Sequence, residues 1–186
     1  QYTTTKPSQI NKDFAGAKFN FLAANVSLKA DPKRTLFPAY KIKRYGNIPV
    51  AFIGLTLEAT PTIVSAAGIK DVDFHDEAET VNSLIPELKK QGVEAIVVVV
   101  HEGVAPSTKF NAKTCAGLSG PLTGILDRLD TAVDVVVSGH THQSYICDYS
   151  TLNPQKPFLL TSAGQYGTAI TNIKLELDGK TGDVIK

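Results

Sequence analysis

The run Glu94–Val100 (EAIVVVV) is apolar at every position after its first residue, and Ala132–Val137 (AVDVVV) nearly repeats it. β-Branched residues that are apolar at consecutive rather than alternate positions suit strands buried on both faces. Helices must then cover both sides, and the chain supplies them. Asp76–Gln91 places Val81, Leu84, Ile85 and Leu88 at helical intervals, with Gly92 as a stop signal and Pro86 as a possible kink. Ser119–Leu129 reads as a shorter helix with Pro121 near its start, after a long loop from Glu102 to about Leu118. Buried strands alternating with helices predict βαβ units and a parallel sheet.

Other segments read differently. Phe19–Val26 (FNFLAANV) is expected to be a buried strand ending in a turn at Asn25. Ala39–Tyr45 alternates apolar and charged residues, Gly46-Asn47 makes a tight turn, and Ile48–Leu55 is apolar, which together predict a hairpin. Short strands are expected near Tyr145–Cys147, Phe158–Thr161 and Thr168–Leu177, with Asp178-Gly179 and Thr181-Gly182 forming the last turn. The predicted class is α/β: a parallel or mixed sheet followed by antiparallel strands. The opening, Gln1–Lys12, is polar and expected to be irregular.

A length of 186 residues allows one domain with a real core. The formal charge of +1 leaves no basic face to track a phosphate backbone, so no nucleic-acid partner is indicated. The longest strongly apolar run, Ala95–Val100, is far too short to span a bilayer. The chain begins with Gln1 rather than Met and contains no Met, which suggests a processed or cut product. Cys115 and Cys147 are either two free thiols or one structural disulfide.

Three of the four histidines stand at informative positions. His101 follows the strand ending at Val100. His140 follows the strand ending at Val137, across Ser138-Gly139. Parallel neighbours place their C-terminal ends at one edge of the sheet, where ligands of open α/β sheets bind. Two imidazoles delivered there from separate strands can converge on one metal. In Gly139-His140-Thr141-His142, an extended turn would point His140 and His142 to the same side, and Gly139 would permit close backbone approach. They would then share one metal or reach two adjacent ones. His75 lies in an acidic loop (Asp73, Asp76, Glu77) and reads as a hydrogen-bonded polar residue.

The run Val133–Gln143 (VDVVVSGHTHQ) resembles the closing GHxH motif of the calcineurin-like metallophosphoesterases, and Ile96–Gly103 (IVVVVHEG) resembles their preceding single-histidine motif. The stretches FNFLAANV, VAFIGLTLEATP and TSAGQYG are similar to the secreted or periplasmic 5'-nucleotidase branch, and the likeness runs from about Phe14 to the C-terminus. The resemblance implies two facing β-sheets flanked by helices, an α-β-β-α sandwich. It implies two divalent metals of the Zn, Mn, Fe, Co or Ni class, with His101 and His140 on one and His142 on the other. It also implies an extracellular, cell-wall or periplasmic location. Gly139, Thr141, Gln143, Ser144 and Glu102 are candidates to support the ligands, with Glu102 read first as an exposed surface acid. Thr56 and Glu58 would share the edge if their strand is parallel, and Gln165 and Tyr166 sit in a glycine-flanked loop able to approach it.

None of the family's opening motifs (Asp-x-His, Gly-Asp and Gly-Asn-His followed by an acid) stands near the start of this sequence; an Asp-x-His tripeptide, Asp73-Phe74-His75, and a Gly-Asp dipeptide, Gly182-Asp183, occur only later in the chain. So is its C-terminal nucleotide-binding domain. The expectation is a single partial domain over 1–186, the second half of a catalytic domain. It would be inactive alone and leave one apolar sheet face to be covered by the missing N-terminal half or by another copy. The exported character of the resembled branch favours a Cys115–Cys147 disulfide, which would pin two ligand-bearing loops together. The leading functional expectation is a fragment of a nucleotide-type phosphomonoesterase. Alternatives are a cyclic-phosphodiesterase or sulfate-ester hydrolase of the same superfamily, or a non-catalytic binding or scaffold domain with vestigial histidines.

Overall fold

The computed structural model describes residues 17–105 and 111–185. The opening expected to be irregular over Gln1–Lys12, and positions 106–110 of the loop after His101, lie outside them. The strands are β1 (Val26–Leu28), β2 (Asp31–Thr35), β3 (Tyr40–Tyr45), β4 (Ile48–Leu55), β5 (Val72–Phe74), β6 (Ala95–Val100), β7 (Val135–Val137), β8 (Ser144–Asp148) and β9 (Leu159–Ala163). The helices are α1 (Ala66–Ile69), α2 (Glu77–Lys90) and α3 (Pro121–Arg128). A small sheet has the order β2-β1-β5 and a six-stranded sheet the order β3-β4-β6-β7-β9-β8.

In the large sheet β4, β6, β7 and β9 run parallel, with β3 and β8 antiparallel at the two edges. The protein is therefore α/β with a mixed sheet. The pairing Leu55↔Val100 and Val99↔Val137 brings the C-terminal ends of β4, β6 and β7 to one edge. The hairpin between β3 and β4 turns at Gly46, whose φ of 61° suits a residue without a Cβ. Lys41, Lys43 and Arg44 are exposed along β3 and guard that edge against pairing with other chains.

The consecutive apolar residues of the central strands divide between two cores. Ala51, Ile53, Leu55, Ile96, Val98, Val100, Val136 and Leu160 pack with Val81, Ile85 and Leu88 of α2 and with Leu122, Ile125 and Leu126 of α3. Val50, Ala95, Val97 and Val135 face the other way and pack with Ile173, Leu175, Leu177 and Val184. The C-terminal segment thus covers part of the face that was expected to lie bare. The uncovered part is the end nearest the histidine edge, where Val99 is 41% exposed.

Three further readings are corrected. Phe19–Val26 is not a strand: β1 starts only at Val26, Phe19 is 68% exposed, and the backbone is tied singly by Ala23 N to Pro38 O and Ala24 N to Gly54 O. Gly54 is required there, since a Cβ would meet Leu22 Cβ at 2.3 Å. Asn25 does lie in the turn that leads into β1, and its buried amide accepts from Thr56 N and donates to the carbonyls of Thr56 and His75. Thr168–Leu177 forms no ladder, because its apolar residues cap the second core instead of pairing. Around the last turn, Leu177 bridges Val184. Finally, β9 joins β7 in parallel, so only β8 of the trailing strands is antiparallel there.

Helix α2 begins where the Asp76 side chain accepts from Glu79 N at 2.8 Å, and it continues through Pro86. The same carboxylate pairs with Arg128 of α3 at 2.6 Å. That hydrogen bond holds Asp76 below its ordinary value. A depressed carboxylate stabilises the fold above its unfolded pKa, and the contribution is lost as pH falls through the folded value. Asp76→Ala is expected to lower stability by about 1 kcal/mol at neutral pH, the usual worth of a cap. Urea unfolding of variant and wild type should converge as the medium is acidified below the carboxylate range.

Candidate metal centre

Parallel pairing decides where the histidines go. His101 follows the last residue of β6, and its amide donates to Leu55 O at the end of β4. Ser138 follows β7, and its amide donates to Thr161 O of β9. Gly139 N then donates to Glu102 O at 3.1 Å, which ties the two histidine-bearing segments directly. As a result His140 Nδ1 and His101 Nε2 lie 3.4 Å apart, with ring centroids 5.1 Å apart. His101 is held below the ordinary imidazole value, first by desolvation and next by the charge of His140. Both effects favour the neutral ring that a metal requires.

His140 and His142 do not share an extended turn. Their φ values are 63° and 60°, left-handed backbone that bulky side chains seldom adopt. His142 is accordingly turned to a different neighbour, and its ring lies 5.7 Å from that of Tyr166. The structure therefore brings His101 and His140 together and sets His142 beside the Gln165-Tyr166 loop.

The obligatory glycine of the site is Gly103 rather than Gly139. A Cβ on Gly103 would meet Gly139 O at 2.2 Å and Thr141 Oγ1 at 2.4 Å, whereas one on Gly139 would only touch His101 Nδ1 at 3.8 Å. Thr141 Oγ1 donates to Val104 O at 2.9 Å, and Gln143 Nε2 donates to Thr141 O at 3.3 Å. Glu102 is not an exposed acid. It is 5% exposed, and its Oε1 accepts from Gly103 N at 2.8 Å. Beneath both segments, the Tyr145 hydroxyl is 2.5 Å from Ser138 Oγ and accepts from Val104 N at 3.4 Å. Tyr145 is fully buried, and burial pushes its hydroxyl pKa up. Neither Gly103 nor Tyr145 was singled out from the sequence, since a glycine after His-Glu and a tyrosine in a short strand carry no local signal.

Cys115 and Cys147 are joined in a disulfide, Cα to Cα 5.3 Å, and both are buried. Beside it Ala112 N donates to Ser144 O and Ile146 N to Ala112 O. The loop leaving His101 is thus fastened to β8, which leaves His142.

The remaining candidates lie near this edge but make other contacts. His75 follows β5, and its Nε2 is 2.7 Å from Ser27 Oγ. Thr56 is held through its backbone by Asn25. Among the described residues, Glu58, Asp76 and Glu77 have ligating oxygens within 4.8 Å of one another. They border a cavity of about 270 Å³ shared with Glu102 and Arg128. Burial raises the Glu77 carboxyl, and the amide of Glu58 bonds to it.

The calcineurin-like phosphoesterase family model matches residues 11–144. The chain belongs to that family. It is 34% identical over 173 residues to an endonuclease, YhcR, of Bacillus subtilis, covering 93% of this chain and 13% of that protein. It is 35% identical over 130 residues to a 5'-nucleotidase of Vibrio cholerae, covering 68% of this chain and 22% of that protein. A solved 5'-nucleotidase precursor from Thermus thermophilus has the same fold, with a TM-score of 0.62 at 24% identity, covering 92% of this chain and 33% of that one. The chain thus spans at most about a third of the proteins compared.

Two outcomes follow from the interlocked loops. Gly103→Ala should destabilise the fold by about 1–3 kcal/mol through overpacking against backbone, read by thermal unfolding. Cys147→Ser opens a loop of sequence separation 32. It should cost about 3–4 kcal/mol in the chain-entropy model, read by urea unfolding without reductant.

Proposed function

We propose that this chain is the histidine-bearing part of a metal-dependent phosphomonoesterase acting on nucleotide-type esters. The observation that carries the reading is the approach of His101 Nε2 and His140 Nδ1 to 3.4 Å at the C-terminal edge of the parallel sheet. The donor set fits a divalent ion of the Zn, Mn, Fe, Co or Ni class: paired imidazoles, one of them biased to the neutral form, on backbone fixed by hydrogen bonds. His142 is assigned to a second ion. Bound divalent ions would supply Lewis acidity and a water deprotonated near neutral pH.

The chain's own residues hold and orient. His101 and His140 are the ligands of one ion, and the Gly139–Glu102 and Thr141–Val104 hydrogen bonds fix the distance between their loops. The acidic trio Glu58, Asp76 and Glu77 is not assigned as ligand, because Arg128 already pairs with Asp76 and the Glu58 amide with Glu77. Without further acidic ligands the histidines form an incomplete site, and the chain alone is expected to turn over poorly. The exposed Val99 end of the second sheet face is where an N-terminal half or another copy would add them. The buried disulfide supports an extracellular, cell-wall or periplasmic setting, since such bonds persist in oxidising compartments. No helix among the described residues is long and apolar enough to cross a membrane.

The test is metal content. Elemental analysis after loading with Zn or Mn should show binding in the wild-type chain and its loss in His140→Ala, with circular dichroism unchanged. Equal metal in both proteins would sink the assignment of His140.

A further inference from the structure

Among the described residues the non-glycine positions with left-handed backbone are Asn111, His140, His142 and Tyr166. Three of the four lie along the histidine edge: His140 and His142 belong to one short segment, and the His142 ring lies 5.7 Å from that of Tyr166. Strained backbone that gathers at a single spot points to a functional demand. The strain at Tyr166 has no packing reward, since its side chain is 86% exposed. Yet the turn carrying it is firmly built. Gly164 (φ 79°) and Gly167 (φ 68°) flank it, Gly164 N donates to Gln143 O beside His142, and the amide and hydroxyl of Thr168 both donate to Gln165 O.

We propose that Tyr166 is a specificity residue: its ring forms an aromatic wall beside His142 that receives a planar ring, such as a nucleobase or aryl group, in the alcohol portion of the phosphate ester. The inference rests on the phosphoester reading above for the phosphate end of the ligand, and on the exposure and contact of Tyr166 for the other end. A tyrosine carried on a hydrogen-bonded turn offers a flat apolar face with only two side-chain torsions to lose, and stacking on it tolerates any base. The phenol adds a hydrogen-bonding tip that the aromatic wall does not need.

The probes are adenosine 5'-monophosphate and ribose 5-phosphate, titrated by NMR into the Zn-loaded chain as wild type, Tyr166→Ala, Tyr166→Phe and Tyr166→Gly. Wild type should prefer the adenosine ester about tenfold, within the range of one base–aromatic stack. The preference should fall toward one in Tyr166→Ala and Tyr166→Gly and persist in Tyr166→Phe. Tyr166→Gly should also leave the melting temperature unchanged or higher, because glycine accepts the left-handed backbone, which separates a ligand-facing ring from a structural one. A preference retained in Tyr166→Ala overturns the proposal, and so does a wild type that binds both esters equally or binds neither. If the preference follows Tyr166 but His140→Ala binds as much metal as wild type, the metal-site reading fails while the wall stands.

Discussion

Everything at the histidine edge depends on the parallel ladder between β6 and β7. Because Val99 pairs with Val137, the strands stop level with each other, and the residues that leave them start from neighbouring points. The Gly139–Glu102 hydrogen bond then locks the two exits together, and Gly103 is what lets them approach closely enough to make it. Two exposed imidazoles have no reason of their own to lie side by side, since each can hydrogen-bond water instead. Here the backbone imposes their proximity.

The strain at this edge is distributed in a consistent way. The left-handed conformations of His140 and His142 are tolerated because every adjoining segment is anchored: Ser138 to Thr161, Thr141 to Val104, and Gln143 through its carbonyl to Gly164 and Ser162. The disulfide fastens the loop leaving His101 to β8, so neither loop can relax without dragging the other. Preorganisation of this kind is what a site needs if its ligands must be in place before a substrate arrives.

Family membership and local geometry answer different questions. The family match covers residues 11–144, a span that includes both histidine segments. The chain covers 13% and 22% of the two curated relatives compared. The second sheet face is unevenly covered: Val50, Ala95, Val97 and Val135 lie under the C-terminal segment, but the face is still open at Val99. A face half sealed by its own chain is compatible with an isolated fold and with docking of a further layer.

Much was legible in the sequence because period and punctuation are local. The both-faces-apolar runs marked β6 and β7, the helical spacing marked α2, and Gly46-Asn47 marked the hairpin. The positions of His101 and His140 after buried strands marked the edge. Other features were decided only by tertiary structure. Phe19–Asn25 is rich in residues that suit strands, yet no neighbour offers it a ladder. Ile173, Leu175 and Leu177 cap a core rather than pair, because a sheet face needed covering more than another edge needed a strand. Glu102 is buried and Gly103 indispensable because a loop from a strand 37 residues away, reckoned from Val100 to Val137, crosses over them. Composition and spacing determined which residues could serve; only the packing of distant segments decided which of them touch, since burial and backbone approach are properties of the assembled fold and not of any window of chain.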